Sequence, residues 1–314
     1  MLARVANNLF WMGRYIERAE HVARYLNVNY FASLDAPNEQ SQSRQFVLQS
    51  MLFMADDFSR TEEALEEENV LYDIALNPEK DFSIINYVKL ARENANSARD
   101  LISTELYESL NKFYHFVLNY PVENFKKSGL YDFTVQVTEN TSVLRGKIRG
   151  TLLHDEVYAI IMLGVNIERA TQIIRIINSK YKDAVIAQGS YGDTIMNSYE
   201  WTTLLKCAES YDMMRRYYRQ TPTSITTLEF LILNTVCPRS VMNSLNEVCK
   251  HIMVLSREKH PEKGSSAFLI GKVRAKYQFK VIEEIEIDLE SFIQNILDDL
   301  NSIGMKLQNE YFHY

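Results

Sequence analysis

An all-α fold is what this sequence predicts, on three observations. Only 10 Gly and 6 Pro punctuate 314 residues, far too few for a many-stranded fold that needs a turn about every ten residues. Apolar residues recur at three-and-four spacing over long stretches, the period of a helix with one buried stripe. A helical motif near the start also returns in mid-chain: Gly13, Ile16, Glu17, Arg18, Ala19 and Arg24 recur 151 positions later as Gly164, Ile167, Glu168, Arg169, Ala170 and Arg175. The expected architecture is therefore a multi-helix bundle with an internal pseudo-repeat of Glu-Arg helices, forming a single domain over 1–314.

With 46% hydrophobic residues the chain has enough apolar surface for a substantial core. The net charge of −7 argues against a broad phosphate-binding face, so nucleic acid is not an expected partner. Cys207, Cys237 and Cys249 form an odd set with no Cys-x-x-Cys pair, which suggests neither a disulfide framework nor a zinc ribbon and fits a reducing cytoplasm. Arg4, Asn7 and Asn8 interrupt any signal-peptide core, and the longest apolar run, Val157 to Val165, is too short to span a bilayer. A cytoplasmic protein without a membrane segment is the expectation.

The first helix carries Leu2, Val5, Leu9, Met12, Ile16 and Ala23 on one face and stops at Leu34-Asp35-Ala36-Pro37-Asn38, because Pro cannot continue a helix. On a helical wheel Glu20 falls within the apolar arc, Glu17 and Arg24 lie on its flank, Arg18 falls opposite near Trp11, and His21 turns toward the outer side. Glu17, Glu20 and Arg24 should thus point inward, and buried ionised groups require partners. Glu20 to Arg24 is an i, i+4 pair in the favourable order, with Glu17 a turn away. In the second copy Glu168 and Arg175 hold the same places, while Thr171 replaces the acid of Glu20.

A short helix is expected from about Arg44 to Met54, then one starting in the acidic run Thr61 to Glu68, whose carboxylates suit the positive helix end and otherwise face solvent. Asn77-Pro78 ends it. Asp81 or Ser83 caps the next, which reads as one long helix from about Ile84 to Tyr120 carrying Arg92 and Glu93. Pro121 to Gly129 reads as a loop. Leu130 to Thr138 alternates as a strand would, yet has no partner strand nearby, so a helix is the reading, weakened at Gly146 and Gly150. The second Glu-Arg helix runs from about Leu152 to Tyr181. Ala187 to Gly192 is a loop, Asp193 caps a helix to about Arg219, and shorter helices cover about Ile225 to Thr235, Val241 to Ser256 and Ala267 to Lys276. A last long helix, Val281 to Ile303, closes the chain.

Trp11 to Glu20, then Asn77-Pro78 with Ser83-Ile84, Ala91 to Ala95, Ile167 to Ala170, and Cys237-Pro238-Arg239-Ser240-Val241, in that order, resemble the successive blocks of the bacterial alpha-E domain family. Thr171 stands where that family usually has Asp, and Tyr107 where Trp is common. The resemblance implies an all-helical protein of unsettled biochemistry, typically encoded beside ATP-grasp peptide-ligase-like and transglutaminase-like proteins. It lifts Arg92, Glu93 and Arg239 into the candidate cluster with Glu17, Glu20, Arg24, Glu168 and Arg175.

Self-sufficient chemistry has little support in the sequence. Gly264 to Gly271-Lys272 has six intervening residues where a P-loop has four, and no dinucleotide, nucleophile-elbow or zincin motif occurs. A di-iron bundle wants two Glu-x-x-His motifs, and only Glu310 to His313 has that spacing. No metal or other cofactor is therefore expected. Cys237 precedes Pro238-Arg239, whose cation would depress a thiol pKa, but a buried structural cysteine is the plainer reading. The expected function is a helical accessory or co-catalytic partner of an ATP-grasp ligase-like protein. The alternative is a stand-alone enzyme that holds a peptide or amino-acid carboxylate with Arg24, Arg92, Arg175 or Arg239, using Glu17 or Glu168 as acid or base. A solvent-open cavity around these side chains favours the enzyme, and a dry, paired cluster favours the scaffold.

Overall fold

The computed structural model describes residues 2–34, 44–55, 57, 64–188, 195–256 and 261–312, excepting the side chains of 128, 181–188 and 195–198. Among these residues there is no strand. The helices are α1 (Ala3–Leu34), α2 (Arg44–Met54), α3 (Glu67–Ala75), α4 (Ile84–Ser97), α5 (Thr104–Leu118), α6 (Val122–Asn124), α7 (Leu130–Thr151), α8 (Glu156–Gln188), α9 (Ile195–Cys207), α10 (Tyr211–Tyr218), α11 (Ser224–Ile232), α12 (Val241–Ser256), α13 (Ser266–Gln278), α14 (Ile282–Ile287) and α15 (Leu289–Leu307).

At the centre α1 and α8 pack together more extensively than any other pair. Both glycines of the repeat lie in that contact: a Cβ on Gly13 would meet the Ile161 carbonyl oxygen at 2.5 Å, and one on Gly164 would collide with the Phe10 carbonyl oxygen. Further along, the Tyr25 hydroxyl lies 2.6 Å from Ser179 Oγ. Residue numbers rise together across the interface, so the two helices run parallel, side by side.

The pseudo-repeat extends through the whole fold. α1 is flanked by α2, α4 and α7, as α8 is flanked by α9, α12 and α15. α5 bridges α4 and α7 just as α13 bridges α12 and α15, while α2 crosses to α8 and α9 crosses to α1. Even the turns entering α4 and α12 match. Asn77 Oδ1 accepts from Glu79 N and Asn234 Oδ1 from Val236 N; Ser83 Oγ accepts from Asn86 N and Ser240 Oγ from Asn243 N. Asn86 Nδ2 and Asn243 Nδ2 each donate to the carbonyl eight residues back, at 2.8 Å. The residue before the capping serine differs: Phe82 in the first half, Arg239 in the second.

Several sequence expectations need correction. The long Ile84–Tyr120 helix is a hairpin of α4 and α5: Ala98 ends the first, and Ser103 starts the second by accepting from Leu106 N. Capping chemistry broke it without Gly or Pro. The final helix likewise divides at Asp288, which caps α15 through Ser291 N. The helix expected to reach Arg219 divides into α9 and α10 at Glu209, whose φ is +54°. Pro121–Gly129 is helical turns leading into α7 rather than a loop. α3 begins at Glu67, six residues after Thr61, which lies outside the described residues, as do Gly189 to Asp193. In the acidic run Glu67 pairs with Arg44 and Glu68 with Lys126, so that face is only partly left to solvent. By length and composition Glu156–Lys180 does qualify as a candidate span, yet 78% of its most apolar window is buried inside the protein, as suits the central helix.

Candidate functional site

Every residue of α1 from Ala19 to Leu26 is buried. A helix wrapped on all sides has no outer flank, so the wheel's placement of His21 toward solvent fails: its side chain is fully buried, with Nε2 3.6 Å from Glu17 Oε1. Arg18 is also misplaced by the wheel. Its long side chain crosses the α1–α8 seam, with Nε 2.6 Å from Glu168 Oε1 and Nη2 3.1 Å from Oε2.

The mirror contact exists. Arg169 donates from Nε to Glu17 Oε1 at 2.6 Å and from Nη2 to Oε2 at 3.0 Å. Each Glu-Arg pair thus reaches across to the other helix, two bidentate forks related by the pseudo-two-fold. Glu17 is therefore paired across the seam, with Arg169, and not along its own helix with Arg24.

Around Glu168 the first centre is closed by Arg14 Nε at 2.7 Å and Gln172 Nε2 at 2.7 Å. Aromatic rings back its guanidiniums: Arg14 lies 5.0 Å from the Trp11 ring centroid, and Arg18 lies 5.4 Å from that of Tyr87. Burial alone would raise the Glu168 carboxyl, but Arg18 and Arg14 together outweigh it and hold the group well below the usual carboxylate range.

The second centre is larger because Arg239 enters it from the turn before α12. Arg239 reaches Glu17 at 3.4 Å, Glu20 at 2.8 Å, and Glu209. Glu20 also pairs with Arg24, as its i, i+4 spacing predicts, and with Arg145 of α7. Arg24 continues to Glu209 at 3.0 Å. Four guanidiniums, of Arg24, Arg145, Arg169 and Arg239, therefore meet the carboxylates of Glu17, Glu20 and Glu209. Burial would raise the Glu17 carboxyl, and Arg169 with Arg239 holds it far down instead. Burial, reinforced by nearby arginines, brings His21 to about 3, so the imidazole is neutral at pH 7. Burial and Arg239 lower Arg24 to about 10, which leaves it charged.

The other candidates take different places. Arg92 Nε donates to Asn111 Oδ1 at 2.6 Å and its guanidinium covers Tyr114, bracing the α4–α5 hairpin. Glu93 is exposed on the rim of an open cavity of about 630 Å³ with Tyr15, Arg18, Phe82 and Tyr87. Arg175 is half-buried on α8, outside the ion pairs of the two centres described above. Thr171 Oγ1 donates to the Ile167 carbonyl oxygen of its own helix, so no acid function survives there. Cys237 is buried, and burial pushes its thiol up despite Arg239 nearby, which removes the nucleophile reading. Among the described residues no group of His, Cys, Asp and Glu is arranged to hold a metal ion; His313 lies outside them, and Glu310 instead accepts from Ser266 N and Oγ.

Sequence reasoning missed Arg14, Arg145, Glu209 and the role of the two motif arginines. Arg18 and Arg169 were findable, because they recur in the repeat as faithfully as the glutamates do. Glu209 had no signal, since its place depends on the break between α9 and α10.

Fold and centres define a class of protein: an all-helical bundle whose two central helices trade Glu-Arg pairs across a pseudo-two-fold. Glu17-Arg18 and Glu168-Arg169 are the two Glu-Arg dipeptides of the sequence. The chain belongs to the Alpha-E family, described as a predicted alpha-helical domain with a conserved ER motif, whose model matches residues 1–312. No curated protein and no solved structure matches the chain.

Proposed function

We propose that this protein is a soluble, cytoplasmic bacterial helical partner, non-catalytic or co-catalytic, of an ATP-grasp peptide-ligase-like protein, with a transglutaminase-like protein as a second associate. One observation carries the reading on the structural side: the Glu17 and Glu168 carboxylates are fully buried and each oxygen is met by a guanidinium. A carboxylate so occupied is a poor acid or base, and its role is to fix how α1 and α8 register. The family resemblance supplies the partner. Titration of the purified protein with the ATP-grasp protein encoded beside it tests the reading: saturable association is the expected result, and no association overturns it.

A second reading, an enzyme acting on a peptide or amino-acid carboxylate, draws on a different feature. The arginine-rich side of the second centre reaches solvent at Glu209, whose side chain is 52% exposed.

A further inference from the structure

Glu209 differs from the other carboxylates of the two centres. Glu17, Glu20 and Glu168 sit within α1 and α8 and are fully buried, whereas Glu209 projects from the break between α9 and α10 with half its side chain in solvent. Its backbone has φ +54°, a left-handed conformation that is sterically unfavourable for a residue with a Cβ. The break is otherwise well fixed. Ser210 N donates to Leu205 O at 2.8 Å, Glu209 N to Lys206 O at 3.0 Å, and the Ser210 side chain is buried. What the turn accomplishes is to hold one carboxylate over a cationic cradle.

The cradle is built from three separate elements: Arg24 of α1, Arg145 of α7, and Arg239 from the turn before α12. All three draw the Glu209 carboxyl below its ordinary range, against the opposing effect of burial. The Nη2 atoms of Arg24 and Arg239 each contact both Glu20 Oε1 and Glu209 Oε2. Nη1 of Arg24 is buried with no hydrogen-bond partner, a donor of the cradle left unmet. Without Glu209, four guanidiniums would be left with only Glu17 and Glu20, His21 being neutral. Buried charge in that ratio demands an anion, and the one present is the most easily withdrawn side chain of the set.

We propose that Glu209 is a built-in stand-in for a ligand carboxylate: the Arg24–Arg145–Arg239 cradle binds the carboxylate of an amino acid or peptide end, which enters as Glu209 swings out to solvent. A monoanion fits better than a phosphate dianion, because Glu20 shares the same Nη2 atoms and repels additional negative charge. This binding does not depend on the partner reading; it is measured on the isolated protein, so failure of either leaves the other standing.

The test uses acetate as probe, with phosphate and chloride at matched ionic strength, against the wild type, Glu209→Gly and Glu209→Gln. Glycine accepts the positive φ at no steric cost, and glutamine keeps the side-chain shape without its charge, so the two variants guard against misfolding of either one; far-UV circular dichroism checks their helicity. Calorimetric titration is expected to show saturable acetate binding at least tenfold tighter in both variants than in the wild type, with acetate, unlike chloride, raising their melting temperatures. Adding Arg145→Gln, at the rim of the cradle, is expected to weaken that binding at least tenfold. Absence of saturable acetate binding in folded variants overturns the proposal, as does binding unaffected by Arg145→Gln, and a preference for phosphate over acetate overturns the carboxylate assignment.

Discussion

Glu168→Gln is the substitution that most directly tests whether the paired centres are structural. In the wild type this fully buried carboxylate accepts from Arg14 Nε at 2.7 Å, Arg18 Nε at 2.6 Å, Arg18 Nη2 at 3.1 Å and Gln172 Nε2 at 2.7 Å. Glutamine keeps one acceptor oxygen, removes the charge, and turns an amide NH₂ toward guanidinium donors. Breaking a buried pair in this way costs about 3–5 kcal/mol. Arg14 and Arg18 are 15% and 18% exposed, so they regain some hydration and the lower end, about 3 kcal/mol, applies. With an unfolding entropy of about 2.1 cal/mol/K per residue, each kcal/mol lowers the melting temperature of a chain of this length by roughly 1.5 °C, which puts the expected loss near 5 °C. Glu17→Gln should lose at least as much, because Arg169 and Arg239 are only 12% and 9% exposed. Calorimetric melts of both variants at pH 7.5 measure this. Adding Arg18→Met to Glu168→Gln should recover part of the loss, since it removes a stranded cation. Melting temperatures within 1 °C of wild type for both single variants would refute the buried-pair reasoning. Unchanged melts with lost partner binding would point instead to residues kept for function at some expense of stability.

Three other predictions follow from the same geometry. Gly164→Ala and Gly13→Ala place a methyl against the opposing backbone and should destabilise by several kcal/mol or prevent folding, on the overpacking scale of about 1–3 kcal/mol and more, whereas Gly146→Ala, with nothing within 4 Å, should stabilise by about 0.5–1 kcal/mol; chemical denaturation of the three ranks them, and equal effects would contradict the close α1–α8 contact. Stability should fall on acidification from pH 6.5 toward 5: His21 titrates near 3 when folded and 6.5 when unfolded, so in this window the unfolded chain binds more protons, at up to about 1.4 kcal/mol per pH unit. The carboxylates add their own loss only below about pH 4.5, their unfolded value, so His21→Gln should flatten the pH 6.5 to 5 slope to what buried His251, also lowered, contributes; an unaltered slope counts against a neutral buried His21. Arg92→Met should cost less than about 1.5 kcal/mol and leave partner binding intact, because Arg92 makes one hydrogen bond to Asn111 and a ring contact with Tyr114 rather than an ion pair of either centre; loss of partner binding in this variant would return Arg92 to the functional set.

Local chemistry written along the chain was enough for the class of fold, the pairing of α1 with α8 and the i, i+4 bond of Glu20 with Arg24. Low Gly and Pro content and helical spacing set the first, a repeated Gly and Glu-Arg unit the second, and the geometry of a single helix the third. Tertiary structure decided the rest. Glu17 binds Arg169 rather than Arg24, and Arg18 binds Glu168 rather than facing outward, because guanidiniums span an interface that a wheel drawn for one helix with one wet side does not contain. Arg239 and Arg145 join the second centre from turns and helices far along the chain, and the halves differ there because Phe82 stands where Arg239 does. Glu209 shows the limit most plainly: a helix break at Ala208–Ser210 carries no Gly or Pro, and only the packed fold around its positive φ brings that carboxylate onto Arg24 and Arg239. Pairing within a helix depends on spacing that the sequence states, whereas pairing between helices depends on which faces the whole bundle has already covered.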